Sequence, residues 1–166
     1  MTFDDLVAGD QVFVDANTLT YHFQPHPVWG PACTQLLQRI KNQELVGFTS
    51  THVVAEAAHR LMTLEANTLL GWPIPGIGNR LRTHPTEVQK LALFRQAIDG
   101  MVQGDLQILI ITPPMLTAAA VLCQQIGLLT NDGLIVAVMQ ANGLTKLASH
   151  DTDFDRVPGL MRHAPA

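Results

Sequence analysis

The stretch 128–154, LLTNDGLIVAVMQANGLTKLASHDTDF, constrains the fold more than any other part of this sequence. Its apolar run predicts a helix over 134–141, and the pair Asn142-Gly143 is a typical signal for a helix end. A short β-prone run over 146–149 follows, and Phe154 can return the next loop to the core. The order helix, glycine turn, strand and loop predicts an α/β unit, in which ligands bind at the strand ends.

Acidic residues stand at both ends of this unit. Asp132 lies where a loop is predicted to enter the helix, and Asp151 and Asp153 follow the strand. Because like charges repel when they are brought together, such an arrangement needs a compensating partner. A divalent metal ion is the usual one.

Two further carboxylates occupy comparable positions earlier in the chain. Asp15 follows the β-prone run 11–14, and Glu56 lies among Val and Ala residues in a helix predicted over 51–64. Taken alone, Asp15 could equally serve as the N-cap of the next helix, and Glu56 could be a partly exposed residue favoured by the helix dipole. The alternative is that both carboxylates are directed into a site shared with the C-terminal acids.

Such a set of oxygen ligands suits Mg²⁺ or Mn²⁺, which also take ligands from water and substrate phosphate. The net charge of −4 does not argue against a phosphate-bearing substrate. Setting the five carboxylates aside leaves nine of the 14 acidic residues against ten Lys and Arg. The surface outside the site is then nearly neutral, and bound cations offset the charge of the site itself.

The rest of the chain is predicted to form a single α/β domain over residues 1–166. Further strands are predicted over 45–48 and 109–111, and further helices over 28–41, 86–102 and 115–125. The Gly- and Pro-rich segment 67–85 interrupts this pattern and is predicted to be an irregular insertion. His22 and His26, which lie close to two prolines, are predicted to be loop residues, and the tail 156–166 shows no periodicity.

Positive charge is concentrated after the irregular segment, at Arg80, Arg82, Lys90 and Arg95. An ordinary solvated face is the more common explanation of such a density. If this region faces the acidic site, Arg80 and Arg82 are candidates for contacts with substrate phosphates.

Several other classes of protein find no support in the sequence. Cys33 and Cys123 are far apart and lack a metal-binding or redox spacing. No apolar run approaches the roughly 18 residues of a membrane span, and the acidic N-terminus lacks a signal core. There is no GxSxG, Walker or GxGxxG motif. We therefore expect a soluble, cytoplasmic protein with no membrane partner.

Four motifs, in this order and spacing, resemble the PIN-domain family of metal-dependent ribonucleases, which includes VapC-type toxins. They are VFVDANTLTYHF near the start, TSTHVVAEAAHRL with its Glu, LLTNDGLIVAVMQANG, and TKLASHDTDF with its Ser before the acidic loop. Each motif is weak alone, but together they span most of the chain. The resemblance implies a three-layer α/β/α fold with a central, mostly parallel sheet.

The resemblance also implies roles for individual residues. Asp15, Glu56, Asp132 and Asp151 would bind the metal, with Asp153 as an auxiliary ligand and with Asn17 and Ser149 as polar residues behind the ligands. The implied activity is hydrolysis of RNA phosphodiester bonds. Homodimers are frequent in the family, and a toxin would have an antitoxin protein as its partner.

Two alternatives to a ribonuclease remain at this point. A PIN-like scaffold could bind RNA or a protein without cutting, although an inert scaffold has no need to tolerate clustered acids. A structure-specific DNA nuclease could use a related fold, although this chain lacks additional domains for gripping DNA.

Overall fold

The computed structural model describes residues 1–166, and its central element is a sheet of five parallel strands. The strands lie in the order β3-β2-β1-β4-β5. Their bounds are β1 (Gln11–Val14), β2 (Val46–Ser50), β3 (Gln107–Leu109), β4 (Lys146–Ala148) and β5 (Met161–His163). The chain builds outward from β1 to β2 and β3, and then crosses to β4 and β5 on the other side. The strand order therefore reverses between β1 and β4, where α/β folds form a ligand crevice.

Eight helices cover the sheet and complete the three-layer α/β/α fold expected from the resemblance. In one group, α3 contacts α1 and α6, and α1 also contacts α2; α7 and α8 form a second packed pair. The helices are α1 (Ala16–Phe23), α2 (Gly30–Lys41), α3 (Thr51–Leu70), α4 (Ile77–Thr83), α5 (Pro85–Val88), α6 (Leu93–Gln103), α7 (Pro113–Ile126) and α8 (Thr130–Ala141).

The main core lies between the sheet and its helices. Phe13 of β1, Leu61 of α3, Leu147 of β4 and Phe154 are fully buried there. Phe154 thus returns the loop after β4 to the core, as its position in the sequence suggested. Burying side chains of this size stabilises the fold by about 1.5–3 kcal/mol each.

The prediction of an irregular segment over 67–85 is wrong for most of its length. α3 extends to Leu70, well past the predicted end at residue 64, and α4 forms only six residues after Gly71. The reason is a second small core, in which Ile77 and Leu81 of α4 pack with Ala66 of α3. Burial of these residues stabilises helices that their Gly- and Pro-rich surroundings do not favour.

The helix predicted over 86–102 is two helices, α5 and α6. The break is stabilised by Glu65 of α3, whose carboxylate accepts hydrogen bonds from the backbone N–H groups of Ala92 and Leu93, both at 2.9 Å. A carboxylate at this position satisfies free N–H groups at the start of α6. The partner lies 27 residues away in sequence and gives no local signal.

The bounds of one predicted strand are also wrong, and one strand was not predicted. The strand predicted over 109–111 corresponds to β3, which lies two residues earlier, at Gln107–Leu109. It ends at Leu109 because this residue pairs with Ser50, the last residue of the partner strand β2. Beyond that pair Ile110 is 72% exposed. The tail, whose sequence shows no periodicity, contributes β5, which pairs with β4. Three residues are too few to show strand periodicity.

Two local predictions near the site also require correction. α8 begins at Thr130, so Asn131 and Asp132 belong to its first turn and not to the preceding loop. His22 lies inside α1, which continues to Phe23 before the first proline stops it. His26 lies outside the helices, as predicted.

No single helix is long and apolar enough to cross a membrane. The pair α7 and α8 reaches the necessary length and composition only in combination, across a bend of 116°.

Candidate active site

β1 ends at Val14, so Asp15 lies directly after it, at the point between β1 and β4 where the strand order reverses. Its Oδ1 accepts the N–H of Ala16 at 2.6 Å, so it does cap α1. Its Oδ2 accepts the Asn17 amide at 2.6 Å and the Ser149 hydroxyl at 2.7 Å. The residue is only 6% exposed. The carboxylate of Asp15 is therefore held in one orientation at the junction of β1 and β4.

Ser149 and Asn17 connect this carboxylate to the loop after β4. The Asn17 amide also donates to the Ser149 hydroxyl at 3.0 Å, and that hydroxyl accepts the N–H of Asp151 at 3.0 Å. The Oδ1 of Asn17 accepts the N–H of His150 at 3.1 Å. Asn17 and Ser149 thus both contact Asp15 and fix the backbone leading to Asp151, and their role behind metal ligands stays a prediction.

Asp151 and Asp153 lie in a single turn that follows β4. The Oδ1 of Asp151 accepts the N–H of Asp153 at 2.9 Å, which shapes the turn. The carboxylate of Asp153 forms an ion pair with Arg156, with 2.5 Å between the nearest atoms. Asp153 is therefore partly neutralised at the edge of the site.

Glu56 and Asp132 come from two helices, α3 and α8. The Asn131 amide donates to Oε2 of Glu56 at 3.3 Å and so joins the helices beside the acids. Asp132 is half-buried in the first turn of α8, where the helix dipole favours a carboxylate. Sequence reasoning did not include Asn131 among the site residues, although its position next to Asp132 was a usable signal.

Burial and the charges of neighbouring acids both act on Asp132. Burial raises its pKa above the usual value, and the charges of Asp151, Asp153 and Glu56 raise it further. Burial also raises the pKa of Asp15 to about 6, against the opposing effects of the Ser149 hydroxyl, the Ala16 N–H and Arg60, with Glu56 adding to the increase. Glu56 therefore acts on both Asp15 and Asp132, and through it these acids form one electrostatic unit.

Arg60 is a member of this unit that sequence reasoning missed. Its Nη2 lies 2.5 Å from Oε1 of Glu56, and its charge lowers the pKa of both Asp15 and Asp132. The spacing of four residues from Glu56 within one helix was the available signal. Arg60 supplies positive charge where the carboxylates would otherwise repel one another unopposed.

The donor set is chemically suited to a hard divalent cation, because it consists of carboxylate oxygens backed by amide and hydroxyl groups. In the observed side-chain arrangement, no group of three or more His, Cys, Asp or Glu side chains is positioned to hold a metal ion. Glu56 is paired with Arg60 and Asp153 with Arg156. Metal binding would therefore require these side chains to exchange their arginine partners for the ion.

The positive segment lies away from the acids. Arg80 and Arg82 are exposed on α4, which packs at Ala66 of α3, ten residues beyond Glu56. At 1.5 Å per residue this is roughly 15 Å along the axis of α3. The two arginines are not in the acidic site, and their contact with substrate stays a prediction.

Comparison with known proteins places this sequence in a family. The model of the PIN domain matches residues 12–160. A comparison with curated protein sequences finds no match.

Several solved structures have a similar fold. VapBC2 from Rickettsia felis, bound to a DNA fragment from its promoter, matches with a TM-score of 0.59 and 18% identity, over 93% of this chain and 98% of that one. VapC20 from Mycobacterium tuberculosis, a toxin that cleaves the sarcin–ricin loop, matches with a TM-score of 0.61 and 16% identity, over 87% of this chain and 92% of that one. A toxin–antitoxin complex from Klebsiella pneumoniae matches with a TM-score of 0.51 and 17% identity, over 90% of this chain and 95% of that one. The similarity to these structures concerns the fold, whereas the family match covers most of the sequence: the chain belongs to the PIN-domain family.

Proposed function

We propose that this chain is a single-domain, metal-dependent endoribonuclease that hydrolyses RNA phosphodiester bonds. Membership of the PIN-domain family, a family of nucleases, supports hydrolysis of a nucleic acid. The observation that carries the proposal is the grouping of carboxylates around Asp132, whose pKa is raised by burial and by three other acids. Perturbed carboxylates in a crevice at the strand ends are typical of a functional site.

In this proposal Asp15, Glu56, Asp132 and Asp151 hold Mg²⁺ or Mn²⁺, with Asp153 as an auxiliary ligand. When bound, the ion lowers the pKa of a coordinated water and offsets negative charge on the phosphate, so that no nucleophilic side chain is required.

The chain's own groups have the task of holding the carboxylates in place. Ser149 and Asn17 donate to Asp15 and keep one of its oxygens directed at the junction of β1 and β4. Asn131 holds Glu56 against α8. Arg60, on the next turn of α3, supplies a cation that can pair with a substrate phosphate when Glu56 is released.

We further propose that the protein is the toxin of a toxin–antitoxin pair and forms a homodimer. The similar structures, two of which are toxin–antitoxin complexes, support the antitoxin partner. The homodimer rests on the family resemblance alone. Co-expression with the product of an adjacent reading frame, followed by sedimentation analysis, measures both associations. Failure to co-purify with that product would remove the antitoxin assignment without affecting the nuclease.

The central test is a cleavage assay with labelled RNA and DNA of one sequence, in Mg²⁺, Mn²⁺ or EDTA. We expect RNA to be cut only with metal, and Asp132→Asn to lose activity by a factor of about 100 or more. Glu87→Gln is the matched control, because Glu87 pairs only with Lys90 on the surface. Binding of RNA without cleavage would indicate a silent scaffold, and cleavage of DNA alone would indicate a DNA nuclease.

A further inference from the structure

Four aromatic rings form a continuous group beside the acids. They come from Tyr21 of α1, His26 and Trp29 of the segment between α1 and α2, and His150 of the loop after β4; we call them the aromatic cluster. Ring centroids lie 4.9 Å apart for Tyr21 and His26, 4.8 Å for Trp29 and His150, and 6.2 Å for Tyr21 and His150. His26 and Trp29 are stacked, with centroids 6.3 Å apart and planes 12° from parallel. All four rings remain partly exposed.

The position of the aromatic cluster is fixed by the backbone. The Nδ1 of His26 accepts the N–H groups of Val28 at 3.2 Å and Trp29 at 3.1 Å, and the backbone N–H of His26 donates to the carbonyl of Tyr21 at 3.2 Å. Gly30 allows the close approach of this turn to α1, since a Cβ there would lie 3.2 Å from the Tyr21 carbonyl oxygen. The rings are thus ordered before any ligand binds, which lowers the entropic cost of stacking on them.

The aromatic cluster shares a wall with the acidic site. Tyr21 and His150 line an open cavity of about 320 Å³ together with Asn17, Arg60 and Asp151. His150 is the residue between Ser149 and Asp151 and is tied to Asn17 by its backbone N–H. One cavity therefore presents aromatic rings, a guanidinium group and a carboxylate assigned to the metal.

This combination matches the chemistry of one nucleotide in an unpaired strand. Nucleobases stack on aromatic side chains whatever their sequence, and arginine pairs with phosphate. A base inside a duplex is already stacked on its neighbours, whereas a base in a single strand or loop has free faces. Tyr21 and Trp29 each pack partly against the main core and partly against the two histidine rings, and both remain partly exposed to a ligand.

We propose that the aromatic cluster is a nucleobase subsite, which stacks one base of single-stranded RNA next to the phosphate held at the acids. The position of the cut bond relative to this base rests on the proposed ribonuclease function. The stacking itself does not, because it requires neither metal chemistry nor cleavage. The two ideas can therefore be tested separately.

The first experiment uses Trp29 as its own probe. The chain has two tryptophans, so Trp72→Phe leaves Trp29 as the single source of tryptophan fluorescence. We expect adenosine monophosphate, which contains no phosphodiester bond to cut, to quench this fluorescence saturably in EDTA as well as in Mg²⁺. Ribose phosphate is the matched ligand without a base and should not quench. Equal quenching by both ligands, or by neither, would overturn the subsite.

The second experiment measures cleavage of a single-stranded RNA. Trp29→Ala should raise KM about tenfold, within the range measured for loss of one stacked base, with a smaller change in kcat. Trp29→Phe should restore most of the loss because it retains an aromatic face, and Trp72→Phe should leave both constants unchanged. A thermal melt of each variant excludes unfolding as the cause.

The outcomes separate the two proposals. Quenching by the nucleotide without any RNA cleavage would refute the ribonuclease and retain the subsite. Cleavage with the same KM in Trp29→Ala and in the wild type would refute the subsite and retain the ribonuclease.

Discussion

The guanidinium of Arg60 and the carboxylate of Glu56 form an ion pair within one turn of α3, with 2.5 Å between Nη2 and Oε1. The side chain of Glu56 is 17% exposed and that of Arg60 is 47% exposed. Arg60 is therefore paired with a carboxylate that is also a proposed metal ligand. The guanidinium group and a metal ion cannot both be the closest partner of that oxygen.

Arg60→Gln should for this reason tighten metal binding. A partly exposed ion pair contributes about 0.2–1 kcal/mol, so the Kd for Mn²⁺ should fall by up to roughly fivefold. Isothermal titration calorimetry measures it, with Arg80→Gln as the control because Arg80 is exposed on α4 away from the acids. Weaker Mn²⁺ binding in Arg60→Gln would mean that Arg60 does not compete with the metal for Glu56.

The acids should behave as one catalytic unit. Asp15→Asn and Asp132→Asn should each lower kcat for RNA by orders of magnitude, and the double variant should lose little more, because either change disables the same metal site. Single-turnover cleavage of a labelled RNA provides the rates. Multiplicative losses would instead assign the two residues to independent steps.

Metal binding should stabilise the folded protein through the same carboxylates. At a hundredfold excess over Kd the gain is about 2.7 kcal/mol, which raises Tm by roughly 5–10 °C in a chain of this size. Asp132→Asn should melt at or above the wild-type Tm in EDTA. Burial and the neighbouring acids raise the pKa of Asp132, which means that they disfavour its charged form, and the substitution removes that charge. Its Tm increase on adding Mn²⁺ should be smaller.

Asp99→Asn is the matched control for these melts, since Asp99 is an exposed acid on α6. It should retain the full increase in Tm with Mn²⁺. Equal increases in Asp132→Asn and the wild type would remove Asp132 from the set of metal ligands.

Asp15 should make the metal-free protein less stable as the pH rises. Burial raises its pKa from the ordinary 3.8 to about 6, so between these values the folded state binds more protons than the unfolded state. The free energy of unfolding should therefore fall through this window, by roughly 3 kcal/mol from this group, and level off above it. Urea unfolding in EDTA from pH 4 to 7 measures the slope.

Two variants identify the group responsible for that slope. Asp15→Asn cannot ionise and should lack this contribution, whatever its absolute stability. Ser149→Ala removes a hydroxyl whose hydrogen bond lowers the pKa of Asp15, so the window should extend to higher pH. An unchanged slope in Asp15→Asn would assign the pH dependence to other groups.

The arginines of α4 should contribute only to the binding of longer RNA. Their helix packs on α3 at Ala66, roughly 15 Å from Glu56 along the helix axis, so a strand must extend several nucleotides from the acids to reach it. Replacing Arg80 and Arg82 by Ala should weaken the binding of an RNA of about twelve nucleotides and flatten its salt dependence, while a trinucleotide is unaffected. Lys41→Ala is the control, because Lys41 ends α2 just before the amino end of β2, whereas Asp15 and Asp151 follow the carboxyl ends of β1 and β4. An unchanged salt slope would make α4 an ordinary solvated surface.

The sequence by itself determined the α/β class and the carboxylates around which the site forms. The run before Asp15 and the unit ending at Asp151 are specified by neighbouring residues: short apolar strands, helix-ending glycines and polar turns. The four family motifs were sufficient to predict the PIN domain, which the family model confirmed. The assignment of the five acids to a metal stays a prediction.

Tertiary structure alone decided the partners of those acids. Asn131 reaches Glu56 across 75 positions of sequence, and Ser149 reaches Asp15 across 134. The aromatic cluster likewise joins Trp29 to His150, and the three-residue strand β5 pairs with β4. Local propensity carries no information about such contacts, because they form only when the packing of the helices and the pairing of the strands bring distant segments together.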